Sequence, residues 1–276
     1  MRRLPFSTKL LLAILLLLLA AAIAAPWISP HDPLRQSLLL RLKPPGSADA
    51  LGIFLLGTDD LGRDLFSRIL YGARASFAVA TLSVVVSLAV GVTLGLVAGW
   101  VRGIAAAIIM RLVDTMLSIP AILLAVLTVA VIGPSFTSLV MVLGLTRWPR
   151  YTRVAYASTL QVAAMPFVQA SEMAGASTAR ILARHVLPNI AGPLMVVATS
   201  EFGLMILFEA GLSFLGLGIQ PPAPSWGSIM SAGRQYVERA WWLTVFPGIG
   251  LFTLVLCVNL LGDALRDRLD PRSAGR

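Results

Sequence analysis

The chain has 276 residues, of which 57% are hydrophobic and only 13% charged, with a mean hydropathy of +0.85. That is too apolar for a water-soluble domain of this length, and it indicates an integral membrane protein. The formal charge of +9 comes from basic residues scattered at the ends of apolar segments, which argues against a nucleic-acid-binding face.

In chain order, Arg2, Arg3 and Lys9 precede an apolar run from Leu10 to Ala25. A secretory signal peptide has the same layout. Continuation through Pro26–Trp27–Ile28 instead predicts an uncleaved transmembrane helix over residues 1–28, ending in an interfacial aromatic. Residues 29–73 form the main polar, extracytoplasmic segment, where Pro30, Pro33, Pro44 and Pro45 break any long helix. Beyond Thr58–Asp59–Asp60, Leu61, Leu65, Phe66, Ile69 and Leu70 share one helical face and Arg63, Asp64, Ser67 and Arg68 the other. This predicts an amphipathic helix at the membrane surface or against the bundle. Residues Gly57 to Arg63 echo a phosphate loop, but Arg63 stands for the lysine and Asp64 for the hydroxyl. The only lysines, Lys9 and Lys43, do not follow glycine, so no Walker A motif exists. Any ATP driving this protein is bound by another polypeptide.

Residues 74–263 hold five further spans. The second, from about Ala75 to Trp100, carries a small residue at every fourth position: Ser83, Ser87, Gly91, Gly95 and Gly99. Such a stripe lets another backbone approach closely, within this chain or from a sister subunit. The third, from about Ala105 to Ile132, holds Arg111 and Asp114 near its start and is kinked by Pro120. Asp114 is expected to pair with Arg111, the alternative being the translocation path. A fourth span begins near Ser138 and turns polar at Arg147, Arg150 and Arg153.

Between residues 160 and 189 lies the longest break between apolar segments in the second half. Pro166 is placed to open a short helix and Gly175 to close it in a left-handed conformation. Ser177 is placed to cap a second helix ending near Pro188, which lacks an N–H. Phe167, Val168, Ala170, Met173 and Ala174, then Ile181, Leu182 and Val186, recur at helical spacing. That stripe packs either on the chain's own bundle or in a groove of a partner. Gln169–Ala170–Ser171, Gly175 and Leu187–Pro188 resemble the EAA loop of ABC importer permeases, whose coupling helix fits a cleft in the ATPase subunit. The resemblance implies ATPase contacts at Phe167 to Ser171, Met173, Gly175, Ala176, Ser177, Leu187 and Pro188. Gln169 and Ser171 depart from the Glu-Ala-Ala pattern, so the helix is implied but a charged contact from its first position is not.

The fifth span, from about Ile190 to Phe214, contains Glu201 and Glu209. Neither carboxylate has a sequence neighbour placed to neutralise it, so each is expected to face water, a partner helix or the path. With Asp114 and Ser213 they are the translocation-path candidates. Residues 215–240 form an extracytoplasmic loop within broken backbone from Gly211 to Gly227, tolerated at membrane depth only beside protein or a water-filled cavity. Trp226, Tyr236, Trp241 and Trp242 are expected at the interface. The last span, from about Leu243 to Leu261, leads to a charged tail over residues 264–276. Cys257 sits inside it as a core residue, and a lone cysteine leaves no disulfide framework or thiolate metal cluster.

Six spans put both termini on one side. With the N-terminus inside, fourteen of the 22 Lys/Arg fall in cytoplasmic segments against eight outside. The bias places the 160–189 loop in the cytoplasm.

GTDDLGRDLFSRILYGAR (Gly57 to Arg74), RLVDTMLSIP (Arg111 to Pro120), GLSFLGLGIQPPAPSWG (Gly211 to Gly227) and NLLGDALRDRLDP (Asn259 to Pro271) together resemble the C-type permease of dipeptide, oligopeptide and nickel ABC importers. The resemblance implies a type I importer fold with cytoplasmic coupling helices in the bacterial cytoplasmic membrane. It also implies a homologous B-type permease, two cytoplasmic ATPases that hold ATP and Mg, and an extracytoplasmic solute-binding protein. The chain itself would be a non-catalytic subunit with no cofactor or metal. Peptide is the expected substrate and a nickel chelate the alternative. A secondary transporter would need a coupling-ion site among Asp114, Glu201 and Glu209. A membrane enzyme would need more than His31 and His185. Either class would work without ATPase subunits.

Overall fold

Backbone polar groups in lipid must be satisfied within the chain, which confines spanning segments to helices. The computed structural model builds them from most of the sequence and describes residues 5–50 and 52–269. Arg2, Arg3 and the tail from Asp270 onward lie outside the described residues. Helix α1 (Phe6–Ile28) packs on α2 (Leu65–Val101) and α10 (Trp242–Leu269). Between them run α3 (Gly103–Ser118), α4 (Ala121–Ile132), α5 (Phe136–Ala163), α6 (Pro166–Met173), α7 (Thr178–Ile181), α8 (Leu187–Phe214) and α9 (Trp226–Gly233). Four helical stretches are long and apolar enough to cross a membrane, and α3 with α4 makes a fifth if the pair is one span. The sixth expected span, α5, is 28 residues long but carries three arginines, so composition alone does not establish it.

The expected kink at Pro120 is a break, with α3 and α4 meeting at 87°. Proline disfavours helical backbone in the residue before it, and Ile119 is extended (φ −93°, ψ 129°).

The separate amphipathic helix does not exist. Asp64 caps α2 by accepting from Ser67 N at 2.8 Å, and no proline interrupts the 37 residues that follow. Its polar face is buried too. Arg63 and Arg68 reach Asp59 at 2.7 and 3.2 Å, and Arg68 donates to Pro33 O at 3.1 Å. In the Gly57 to Arg63 loop the Asp59 carboxylate accepts from the Leu61 and Arg63 N–H groups, each at 2.9 Å, so a side chain fills the place a phosphate would take. Gly62 has φ +71°, and a Cβ there would lie 1.8 Å from Ser37 O. The segment also adds an unexpected antiparallel hairpin, β1 (Ser47–Asp49) against β2 (Gly52–Phe54).

Helices α2 and α5 make the most extensive contact, along the small-residue stripe. The Ser87 hydroxyl donates to Gly144 O at 2.7 Å and that of Ser83 to Val140 O at 3.3 Å. A Cβ on Gly91, Gly95 or Gly99 would come within 2.6 Å of Trp148 O, 2.5 Å of Ala155 Cβ or 2.6 Å of Thr159 Cβ. The stripe's neighbour is therefore in the same chain. Gly95→Leu should force the helices apart and lower stability by roughly 1–3 kcal/mol. Thermal unfolding in detergent checks this, with the exposed Val85→Leu as a neutral control.

Two predicted interface aromatics are core residues. Trp226 is buried and donates to Ile69 O at 3.0 Å, and Trp242 is buried and donates to Thr58 O at 3.1 Å. An indole in the core needs a partner for its N–H, and the carbonyls of the 57–69 region supply it. Trp241 remains exposed, and Tyr236, half-buried, accepts from Arg41 at 2.9 Å. Cys257 is buried.

Candidate coupling and translocation site

The 160–189 loop holds two helical pieces at an angle set by one glycine. Pro166 is at the first turn of α6, where its missing N–H costs nothing. Gly175 follows with φ +80°. Its N–H bonds Glu172 O at 2.9 Å and the Ala176 N–H bonds Ser171 O at 3.1 Å, the paired closure of a left-handed helix end. Ser177 has the extended backbone of a cap, yet its hydroxyl makes no capping bond. The second helix does not stop at Pro188. A wide π-helical turn over Leu182–Val186 joins α7 to α8, and the chain stays helical from Thr178 to Phe214. The wider turn shifts the carbonyl that a proline ring at 188 would strike and removes the need for its N–H.

The apolar stripe divides between the two destinations. Val168, Ile181 and Val186 are buried with Tyr151, Val162 and Ile190, so Val168 is an anchor to the bundle and is not available to a partner. Phe167, Gln169, Ala170, Met173, Gly175, Ser177, Leu187 and Pro188 are exposed, Met173 at 85%, while Ser171 and Ala176 are half-buried. The Phe167 ring meets His185 edge-on at 6.1 Å, and the Ser171 hydroxyl lies 3.4 Å from His185 Nε2. Helix α6 is thus fastened to the π-helical turn that precedes α8 while its outer face stays open.

The polar groups of the bundle are paired across helices. Glu201 is 1% exposed and takes two bonds from Arg147, 2.6 Å from Nε and 2.8 Å from Nη2, with Arg150 at 3.3 Å. Asp114 pairs with Arg153 of α5 at 2.6 Å, not with Arg111. Residues 111 and 114 are close in sequence, but α3 crosses α5 with Asp114 directed at its arginines. Glu209, fully buried, accepts from the Ser76 hydroxyl at 2.6 Å and from that of Ser213 at 2.7 Å. Neither glutamate is open to water. Arg147 and Ser76 were not anticipated as partners, being 54 and 133 residues away from Glu201 and Glu209. A signal did exist, since an arginine and a glutamate in separate apolar runs each need an opposite charge.

A cavity of about 840 Å³ lies between α3, α5, α8 and α10, in the half of the bundle nearer the coupling loop. Arg150, Arg153 and Arg266 line one part of it, and Val154, Pro193 and Val196 another. One continuous helix, from Thr178 to Phe214, joins the exposed α6–α7 segment to the wall of the cavity.

Residues 91–275 match the family of binding-protein-dependent transport system inner membrane components, which covers about two thirds of the chain. The chain belongs to this family. Residues 10–45 of the permease also match the N-terminal TM domain of oligopeptide transport permease C. Among curated relatives, the di/tripeptide transport system permease protein DppC of Pseudomonas aeruginosa is 45% identical over 95% of this chain and 86% of its own. The dipeptide permease DppC of Escherichia coli K12 is 45% identical over 95% and 87%. The probable D,D-dipeptide permease DdpC of the same strain is 39% identical over 95% and 87%. A chain of the inward-facing MetNI methionine ABC transporter superposes with a TM-score of 0.59 at 20% identity, covering 75% of this chain and 98% of that one. A chain of an amino acid ABC transporter gives 0.54 at 14% identity, covering 74% and 95%. The permease has the type I importer fold of these chains, which places it in a membrane as a multi-pass protein.

Proposed function

We propose that this permease forms half of the translocation path of an ATP-driven importer of di- and oligopeptides in the bacterial cytoplasmic membrane. The observation that carries this reading is 45% identity, over 95% of the chain, to permeases named for di/tripeptide transport. A homologous B-type permease supplies the other half, an extracytoplasmic binding protein delivers substrate, and two cytoplasmic ATPases bind ATP and Mg. Both termini and α6 lie in the cytoplasm. The charge bias of the loops supports that orientation.

In this scheme the ATPases grip the outer face of α6, and their closure moves α6 and α7 as one body because Val168, Ile181 and Val186 tie both to the bundle. The unbroken helix from Thr178 passes the motion to Glu201 and the cavity. Coupling requires contacts that differ between two states, and a rigid lever joined to a paired helix bundle supplies them. The test is uptake of labelled dialanine into vesicles holding the full complex. Uptake should require ATP, the ATPases and the binding protein together. Uptake by the permeases alone on an ion gradient would overturn the reading.

A further inference from the structure

The charges around the cavity between α3, α5, α8 and α10 do not balance. Arg150, Arg153 and Arg266 line it against one lining carboxylate, Glu201, while Arg147 and Asp114 stand behind the lining as partners of Glu201 and Arg153. Arg147 is consumed by its two bonds to Glu201. Arg153 is engaged with Asp114. Arg150 only shares an oxygen of Glu201 already bonded to Arg147, and its side chain is 52% exposed. Arg266 makes no ion pair among the described residues and is exposed at the end of α10. Arginine within a membrane bundle is costly unless it meets an anion or water, and its planar fork is shaped for two parallel bonds to a carboxylate. Beside these two arginines lies an apolar wall of Val154, Pro193, Val196 and Val197.

We propose that Arg150 and Arg266 form an anion subsite that holds the C-terminal carboxylate of a peptide in this cavity, with its side chains against the apolar wall. This rests on the peptide reading above. A free carboxylate is common to peptides of every sequence, so one subsite serves many substrates while the apolar wall tolerates different side chains. Glu201 has a positioning role here, since it holds Arg150 at the cavity edge through its shared oxygen.

The test uses the whole complex, nucleotide-free and without binding protein, in nanodiscs containing phosphatidylglycerol. The probe is alanyl-alanyl-benzoylphenylalanine, a photoreactive tripeptide, beside its C-terminal amide. The free acid should label the 193–200 segment about tenfold or more above the amide, as expected for charge-assisted bonds. Arg150→Gln with Arg266→Gln should reduce labelling by the acid to that of the amide, and lysine at both positions should restore part of it. Equal labelling by acid and amide, or a glutamine variant that labels like the parent, overturns the subsite. The same tripeptide offered to vesicles with the binding protein tests the underlying reading separately, because uptake without an acid preference removes only the arginine subsite. The comparison is repeated in phosphatidylcholine, whose headgroup has no net charge: an anionic headgroup seated on the arginines would compete with the peptide, so arginine-dependent labelling that appears only once phosphatidylglycerol is removed means that the arginines hold the lipid, and the proposal is lost.

Discussion

Glu201→Leu should leave little folded permease, while Glu201→Leu combined with Arg147→Leu should recover much of what the single change loses. The pair is almost wholly inside the bundle, with two bonds at 2.6 and 2.8 Å between α5 and α8. Removing the carboxylate strands the Arg147 guanidinium away from water, and an uncompensated buried charge costs about 3–5 kcal/mol. That is a large part of a typical stability of about 5–15 kcal/mol. The double change leaves an apolar contact between two helices that already pack, and such replacements are often neutral or better. Arg150 loses a partner in both variants, but its exposed side chain can hydrate. Melting temperatures of the detergent-solubilised complex, and the amount recovered from membranes, provide the comparison. A single mutant as stable as the parent would show that the pair does not hold α5 to α8.

Much of the bundle was legible because the membrane imposes simple periodicities. Apolar runs marked α1, α2, α8 and α10, and Pro166 and Gly175 marked the start and the end of α6. What misled was local chemistry overridden by tertiary context. Pro188 reads as a helix stop, yet a π-helical turn absorbs it. Asp64 reads as the solvent face of a surface helix, yet it caps a long span whose polar face is covered by the 29–64 segment. The pairings of Glu201, Glu209 and Asp114 were illegible in detail, because helix rotation decides which of several distant partners is met. The same holds for the small-residue stripe, whose spacing says that a backbone approaches and not which one.

Gly175→Val should cut ATP-driven uptake by a factor of about 5–150, the population shift that a backbone strain of about 1–3 kcal/mol produces, while the complex still assembles in the membrane. The cause is conformational and not steric. Gly175 has φ +80°, and no atom lies within 4 Å of the position a Cβ would take. A β-branched residue resists that backbone by about 1–3 kcal/mol, which is enough to open the turn between α6 and α7. Opening it lets α6 swing its exposed Phe167 and Met173 away from the proposed ATPase contact at the expense of the Val168 packing, while Ile181 and Val186, beyond the turn, stay packed. Fold and transport therefore separate at this residue. The open space also bears on a charged substitution. Because nothing crowds residue 175, the damage follows backbone preference, and Gly175→Asn and Gly175→Asp, both tolerant of left-handed geometry, should transport better than Gly175→Val. Uptake and ATP hydrolysis measured on the same vesicles distinguish the outcomes. Valine should uncouple them, with hydrolysis retained and uptake lost, whereas asparagine should keep both. Equal uptake by the glycine, asparagine and valine forms would mean that the turn at Gly175 transmits nothing, and the lever would have to be sought elsewhere in the chain.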